Sequence, residues 1–270
     1  MKNMIFTITH GRTGTTFLTE LFGLFHDTLA LHEPEPNYAD IFPLVKEDPR
    51  HALGFLKRRI ENINKIKQKN YIETSNVFGK SFFIPLLRLG VQPKIVLLNR
   101  NFREVAKSLY VRGSYPMRTE RGRQYSSDPS FPGNLPIYLP ESLSNYQLCY
   151  WGVLDSFFRQ IQAANIYESM GLSSKIFNVQ ADDLHDFKCF ESMGERFGLY
   201  FSDRDEALKQ HGVIKKKRFN PNLGVKKTGD INFDNEESLV LDRIAYFDPI
   251  FVEKVLSEKM TENGVKENFK

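Results

Sequence analysis

The stretch ITHGRTGTTFLTELF, residues 8–22, constrains this chain more than any other. It grows out of a short apolar and β-branched run at residues 4–9, which stops near a glycine and reads as a buried strand. After the turn, Phe17, Leu18, Leu21, Phe22 and Phe25 recur at helical spacing, so residues 15–25 form a helix. A strand, a glycine turn and a helix in this order aim several backbone N–H groups at one point, where the helix dipole adds positive potential. An anion, above all a phosphate, suits that point. Gly11 and Gly14 let the main chain approach it, Thr15 and Thr16 bring hydroxyls, and Arg12 brings a cation. The Gly-Lys-Ser/Thr ending of a nucleoside-triphosphate loop is missing, and the clearest internal strand, residues 94–99, closes on Arg100 rather than on an acidic metal ligand. A magnesium-dependent kinase or NTPase is therefore disfavoured, and no metal is expected.

Further strands are expected at residues 29–32, 71–73, 94–99 and 175–179, and helices at 48–69, 81–89, 102–111, 146–170, 187–197 and about 235–259. This alternation implies an α/β fold of the P-loop type, a mostly parallel β-sheet with helices on both faces. With 270 residues, 41% of them hydrophobic, the chain suits one domain over residues 1–270 with a substantial core. Residues 112–143, rich in Gly, Pro, Ser, Arg and Tyr, are too long for a plain connection and read as a lid-like loop. EPEP at 33–36 breaks regular structure, so Glu33 sits at a strand end. A net charge of +4 suits an anionic small ligand but falls short of a nucleic-acid binder. Cys149 and Cys189 are far apart, with no metal-binding spacing, and read as buried thiols. No stretch reaches the roughly 18–20 apolar residues of a bilayer span. A soluble, cytoplasmic protein without a secretory leader is the expectation. The basic run KRRIENINKIKQK reads as a solvated helix face and KKKR at 215–218 as a solvated surface loop, with an anion contact as the second reading for the latter and for Lys226 and Lys227.

HGRTGTTFL resembles the 5′-phosphosulfate loop of the sulfotransferases that use 3′-phosphoadenosine 5′-phosphosulfate (PAPS). KIVLLNRNFREVAKSLY is similar to that family's second signature, a strand leading into an arginine and, eight residues on, a serine: here Arg100 and Ser108. The chemistry fits, because an arginine at a strand end and a serine about two helical turns later can converge on one phosphate. FNVQADDL, with the helix after it, is similar to the family's late strand and helix, so the resemblance covers most of residues 4–200. It implies PAPS as sulfuryl donor and adenosine 3′,5′-bisphosphate as product. Gly11, Arg12, Thr13, Gly14, Thr15 and Thr16 would bind the 5′ end, and Arg100 and Ser108 the 3′-phosphate. It also implies that Arg12 stabilises charge growing on the leaving phosphate.

The attacking hydroxyl must lose a proton, and a carboxylate or histidine within reach can take it. The protein-tyrosine and several bacterial branches of the family use a glutamate after the first helix. Glu33, twenty-one residues after Arg12, matches that pattern, with His32 and Glu73 behind it as candidates. ETSN at 73–76 either lines the acceptor cleft or forms an ordinary turn, and Arg112, Arg118, Arg121 and Arg123 either read an anionic acceptor or face solvent. Lys226-Lys227-Thr228-Gly229 resembles only faintly the late loop that covers the 3′-phosphate. The acceptor is a small molecule, lipid or carbohydrate, and the oligomeric state stays open. A P-loop kinase-like phosphotransferase and a non-catalytic nucleotide-binding module are the alternatives.

Overall fold

The computed structural model describes residues 2–217, 219 and 231–262, so the Lys226-Lys227 segment and Arg218 lie outside the described residues. The chain divides into two compact units, residues 1–100 with 159–224 and residues 101–158 with 225–270.

The first unit is built on a five-stranded sheet of β1 (Asn3–Ile8), β2 (Thr28–Leu31), β3 (Asn70–Glu73), β4 (Lys94–Asn99) and β5 (Ile176–Gln180). Every pair is parallel, in the order β2-β3-β1-β4-β5. Alternation along the strands sends side chains to opposite faces. Ile5, Ile72, Val96, Leu98 and Val179 share one core with Leu18, Leu21 and Phe22 of α1 (Thr15–Phe22). Phe187, Phe190 and Met193 of α9 (Phe187–Arg196) and Ala207 and Ile214 of α10 (Arg204–Lys216) complete that core. On the other face Phe6 stacks on Phe78 of α4 (Phe78–Ser81), with ring centroids 4.6 Å apart. There α2 (Tyr38–Glu47), α3 (His51–Lys65) and α5 (Phe83–Arg88) add a second aromatic core around Tyr38, Phe55 and Phe82. Helices thus cover both faces of a fully parallel sheet, as such sheets require.

Two helices of this unit go beyond the sequence expectations. α2 begins right after EPEP, started by a capping box in which Asn37 accepts from Ala39 N and Asp40 accepts from Asn37 N. α10 takes in Lys215 and Lys216 as its last turn, where cations suit the helix dipole, so these two lysines of the basic cluster belong to a helix end and not to a loop. In α3 the solvated-face reading holds for the exposed Lys57 and Arg58 but fails for Arg59, which lies in the buried stripe Ala52, Phe55, Leu56, Arg59 and Ile63.

The second unit contains α6 (Phe102–Arg112), α7 (Glu120–Tyr125), α11 (Phe233–Ala245) and α12 (Pro249–Glu262), and α8 (Asn145–Ser169) contributes to both units. The single C-terminal helix expected from the sequence is two, because Asp248-Pro249 starts a new one and Asp248 accepts from Phe251 N at 2.9 Å. Glu237 is buried and accepts from Arg103 at 2.8 Å, Lys259 at 2.8 Å and Tyr146 at 2.7 Å. Burial alone would raise its carboxyl, and these three donors outweigh that and hold it below the usual carboxylate range. Residues 112–143 are more ordered than a plain loop: they contain α7, and Leu135 is clamped at both ends of its peptide, Trp151 Nε1 donating to its carbonyl at 3.0 Å and its own N–H donating to Asp155 at 2.9 Å. Cys149 is buried, which pushes its thiol up, whereas Cys189 is only half-buried.

Candidate active site

In a parallel sheet all carboxyl ends lie along one edge, the edge where α/β folds bind ligands. Here β1 delivers residues 9–14 to that edge, β2 delivers His32 and Glu33, β3 delivers Thr74 to Asn76, β4 delivers Arg100, and β5 delivers Ala181. The sequence separates these groups by up to about 170 residues, and strand order alone gathers them.

The loop after β1 is held by hydroxyls. Thr9 Oγ1 donates to Leu98 O at 2.7 Å and lies 2.6 Å from Thr13 Oγ1, which donates to His10 O at 2.7 Å. Gln160 of α8 donates to Ile8 O at 2.8 Å and Leu98 O at 3.2 Å, tying together the ends of β1 and β4. This scaffold keeps Arg12 at φ 77° and Gly14 at φ 103°. A left-handed backbone is uncommon for a residue with a side chain, and it persists where the surroundings over-determine it. Gly14 is the N-cap of α1, where no side chain caps the helix and no acidic residue occupies the first turn. An anion therefore fits this helix start, with the Thr15 and Thr16 hydroxyls beside it. Arg100 is exposed and its Nη1 donates to Arg12 O at 3.4 Å, so the two signature segments meet.

Glu33 is half-buried and, like Arg12, has a left-handed backbone, at φ 45°. Its carbonyl accepts from Asn37 Nδ2 at 3.3 Å, and its carboxylate Oε1 accepts from Asn76 Nδ2. Asn76 also borders the phosphate loop: a Cβ built on Gly11 would lie 3.6 Å from Asn76 Cγ. One side chain thus joins the candidate base to the candidate anion loop. Behind it Lys80, 1% exposed, donates from Nζ to Asn76 Oδ1 at 3.2 Å.

The segment bearing Glu33 is held from below by Arg59, whose Nη2 donates to Pro36 O at 2.5 Å and Pro34 O at 3.2 Å. Arg59 in turn lies 3.9 Å from Glu73, which is wholly buried and accepts from Tyr71 OH at 2.5 Å. Burial raises the Glu73 carboxyl, against the opposing pull of Arg59. Glu73 belongs to the core and its charge is engaged there, whereas His32 is exposed, with Nδ1 2.9 Å from Thr74 O. Thr74 Oγ1 also meets Thr19 Oγ1 at 2.6 Å and Thr15 O at 3.2 Å, fastening the first turn of α1 to the end of β3.

Ser108 lies half-buried on α6 in the second unit. Arg118, Arg121 and Arg123 of residues 112–143 are engaged within that segment or at its end. Arg118 donates to Leu143 O at 2.6 Å and Asn145 Oδ1 at 2.7 Å, Arg123 donates to Arg118 O at 3.2 Å, and Arg121 stacks over Tyr125. Among the described residues no group of His, Cys, Asp and Glu is arranged to hold a metal ion.

Thr74 and Asn76 stood within a segment flagged from the sequence and Arg59 within a basic run read as solvated, but Lys80 and Gln160 did not stand out. Two signals existed: Asn76 and Lys80 are four residues apart across a helix start, and Arg59 interrupts an apolar stripe.

No family model matches the chain, and no curated protein matches it in sequence. Among solved structures, the sulfotransferase from Alicyclobacillus acidocaldarius aligns over 95% of this chain and 96% of its own, with a TM-score of 0.50 at 12% identity. The fold is that of a sulfotransferase. Mouse sulfotransferase SULT7A1, solved in complex with PAP, aligns over 99% of this chain and 86% of its own with a TM-score of 0.46 at 14% identity. The sulfotransferase domain from the curacin biosynthetic pathway covers 100% of this chain and 94% of its own with a TM-score of 0.46 at 12% identity. In this sulfotransferase fold the anion loop, Arg100 and Glu33 all occupy the carboxyl edge of the sheet. No helix among the described residues is long and apolar enough to cross a membrane.

Proposed function

We propose that the chain is a PAPS-dependent sulfotransferase that acts on a hydroxyl of a small molecule, lipid or carbohydrate, with Glu33 as the proton acceptor. The observation that carries this reading is the convergence at one sheet edge: Asn76 hydrogen-bonds Glu33 and borders the space beside Gly11 of the candidate anion loop, while Arg100 reaches the carbonyl of Arg12. Bound PAPS supplies the sulfuryl group, its sulfur–oxygen bond to the 5′-phosphate breaking as the acceptor oxygen bonds to sulfur.

The chain's own residues account for the rest. The backbone N–H groups of residues 11–16 and the start of α1 hold the 5′ end, and Arg12 faces the oxygen on which charge grows. Arg100 and Ser108, eight residues apart, take the 3′-phosphate, an arginine offering two parallel donors where a lysine offers a point charge. Glu33 accepts the proton of the attacking hydroxyl, so the alkoxide never stands free. No metal has a part in this scheme. The lid role of residues 112–143, the single-domain organisation over 1–270 and a cytoplasmic setting belong to the same proposal.

Calorimetry tests it against the alternatives. Adenosine 3′,5′-bisphosphate should bind without a divalent ion, whereas ATP with Mg²⁺ binding in its place would favour a kinase-like phosphotransferase. Glu33→Gln should keep the bisphosphate and lose sulfuryl transfer from PAPS to a panel of hydroxyl acceptors by at least about 100-fold. Near-normal transfer in that variant reassigns the base, and bisphosphate binding with no transfer to any acceptor points to a non-catalytic module.

A further inference from the structure

We infer that Lys80 and Asn76 are positioning residues that dictate which oxygen of Glu33 takes the acceptor proton; this deepens the sulfotransferase reading and rests on it for its catalytic meaning. The argument starts from donor and acceptor inventories. An ammonium offers only donors, and a primary amide offers a donor end and an acceptor end. Lys80 is buried and its Nζ donates to Asn76 Oδ1 at 3.2 Å, so the amide oxygen must face the ammonium. The Nδ2 end is then forced the other way, onto Glu33 Oε1. A flipped amide would set N–H against ammonium and oxygen against carboxylate, two repulsions in place of two bonds. Oε1 is thereby committed as an acceptor, and Oε2 is the proton-accepting oxygen.

The backbone fixes this relay. Asn76 and Lys80 are four residues apart, and α4 is pressed onto the end of β1 at Gly79, where a Cβ would lie 2.6 Å from Ile8 Cγ2. Lys80 cannot drift without moving that helix. From the opposite side Arg59 holds Pro34 O and Pro36 O, which fixes the segment bearing Glu33. The charged or titratable groups on the elements around Glu33 are Lys80 on α4, Arg59 on α3, His10 and Arg12 on the loop after β1, Glu73 on β3 with its charge engaged by Arg59 and Tyr71, Asp40 at the start of α2, and His32 and Glu35 on its own segment. Lys80 is the cation joined to it through a single amide.

The test uses the full-length chain with carboxyl-labelled glutamate, following the Glu33 carboxyl by NMR across pH and assigning it from the signal lost in Glu33→Gln. Asn76→Asp places a second carboxylate against Glu33, and like charge disfavours ionisation, so the apparent titration of the pair should move upward by about one pH unit or more. Lys80→Met removes the ammonium that orients the amide and should also move it upward, and Lys80→Arg, which keeps a cationic donor, should restore most of the wild-type curve. With PAPS and a working acceptor, Lys80→Met should lower kcat at least about tenfold, and the acid limb of the Asn76→Asp rate profile should shift with its carboxyl titration. Bisphosphate affinity should stay within about twofold in Lys80→Met, whose contact ends on Asn76, whereas Asn76→Asp sets a carboxylate beside Gly11 of the loop and should weaken it. Unshifted Glu33 titration in both Asn76→Asp and Lys80→Met overturns the inference. Failure of the wild type to bind adenosine 3′,5′-bisphosphate sinks the sulfotransferase reading instead, and leaves the titration result standing.

Discussion

Replacing Arg59 by methionine probes the support beneath Glu33 and has a magnitude that follows from the structure. Arg59 is 5% exposed, lies 3.9 Å from the fully buried Glu73, packs under the rings of Tyr38 and Phe55 at 5.0 and 5.2 Å, and holds two carbonyls of the segment bearing Glu33. Methionine keeps most of the packing and removes the charge, so Glu73 is left buried with Tyr71 as its hydrogen-bond donor. Breaking a buried pair in this way costs about 3–5 kcal/mol, which for a chain of this size lowers the melting temperature by roughly 10 °C. The pH dependence separates this cause from simple loss of packing. Burial already raises the folded-state Glu73 carboxyl above its unfolded value, so its contribution is favourable in acid and is lost as pH rises through the folded value. Removing Arg59 takes away the charge that opposes that rise and pushes the carboxyl further up. The deficit of Arg59→Met against wild type should therefore be largest near neutral pH and shrink as the pH falls and the variant's carboxyl becomes protonated in the folded state. Thermal or urea unfolding across that range measures it. Arg59→Met combined with Glu73→Gln should recover more than half of the loss, because no uncompensated charge remains. A deficit that does not vary with pH, together with a double variant no better than the single one, would falsify the account.

Three other consequences are open to direct measurement. Gly14→Ala forces a side chain into φ 103° at the N-cap of α1, so bisphosphate affinity should fall and stability drop by on the order of 1–2 kcal/mol; unchanged calorimetric binding would count against the anion loop. Gly79→Ala meets Ile8 at 2.6 Å and should cost about 1–3 kcal/mol in urea unfolding while lowering kcat more than it alters bisphosphate affinity, since α4 carries Lys80; an unaltered unfolding midpoint would contradict the close approach. Glu237→Gln should destabilise the second unit by about 3 kcal/mol near neutral pH, at the low end for a buried ion pair because Arg103 keeps a third of its surface in water. In the wild type the Glu237 carboxyl is lower folded than unfolded, so its stabilisation is present above the unfolded value and is lost as pH falls through the folded one. The gap between wild type and Glu237→Gln should close in acid, and a gap that widens there would refute the assignment.

Local rules carried the reading of the chain a long way. The glycine turn between β1 and α1, the apolar run of β4, the aromatic periodicity of α8 and the short strands β2, β3 and β5 were all legible, because each is decided by periodicity and breakers over a dozen residues or fewer. α2 was hidden by EPEP, although its Asn37 and Asp40 spelled a capping box, and α10 was masked by reading charge density as loop. Arg59 shows the limit most plainly. In a run of basic residues it looks like its solvated neighbours, and only its register with Phe55, Leu56 and Ile63 marks it as a core residue.

The sequence by itself marked a candidate anion loop, the arginine after β4 and a glutamate at a strand end, since glycines, a cation and a helix start together favour an anion. Tertiary structure decided which glutamate is available. Glu33 and Glu73 are both carboxylates at strand ends, and nothing local separates them. Parallel pairing of β2 with β3 sets Glu73 inward against Arg59 and Tyr71 and leaves Glu33 outward against Asn76, so one carboxylate is engaged in the core and the other stands at the sheet edge. The physical reason is desolvation: a carboxylate's chemistry depends on what surrounds it, and that is settled by residues far away along the chain.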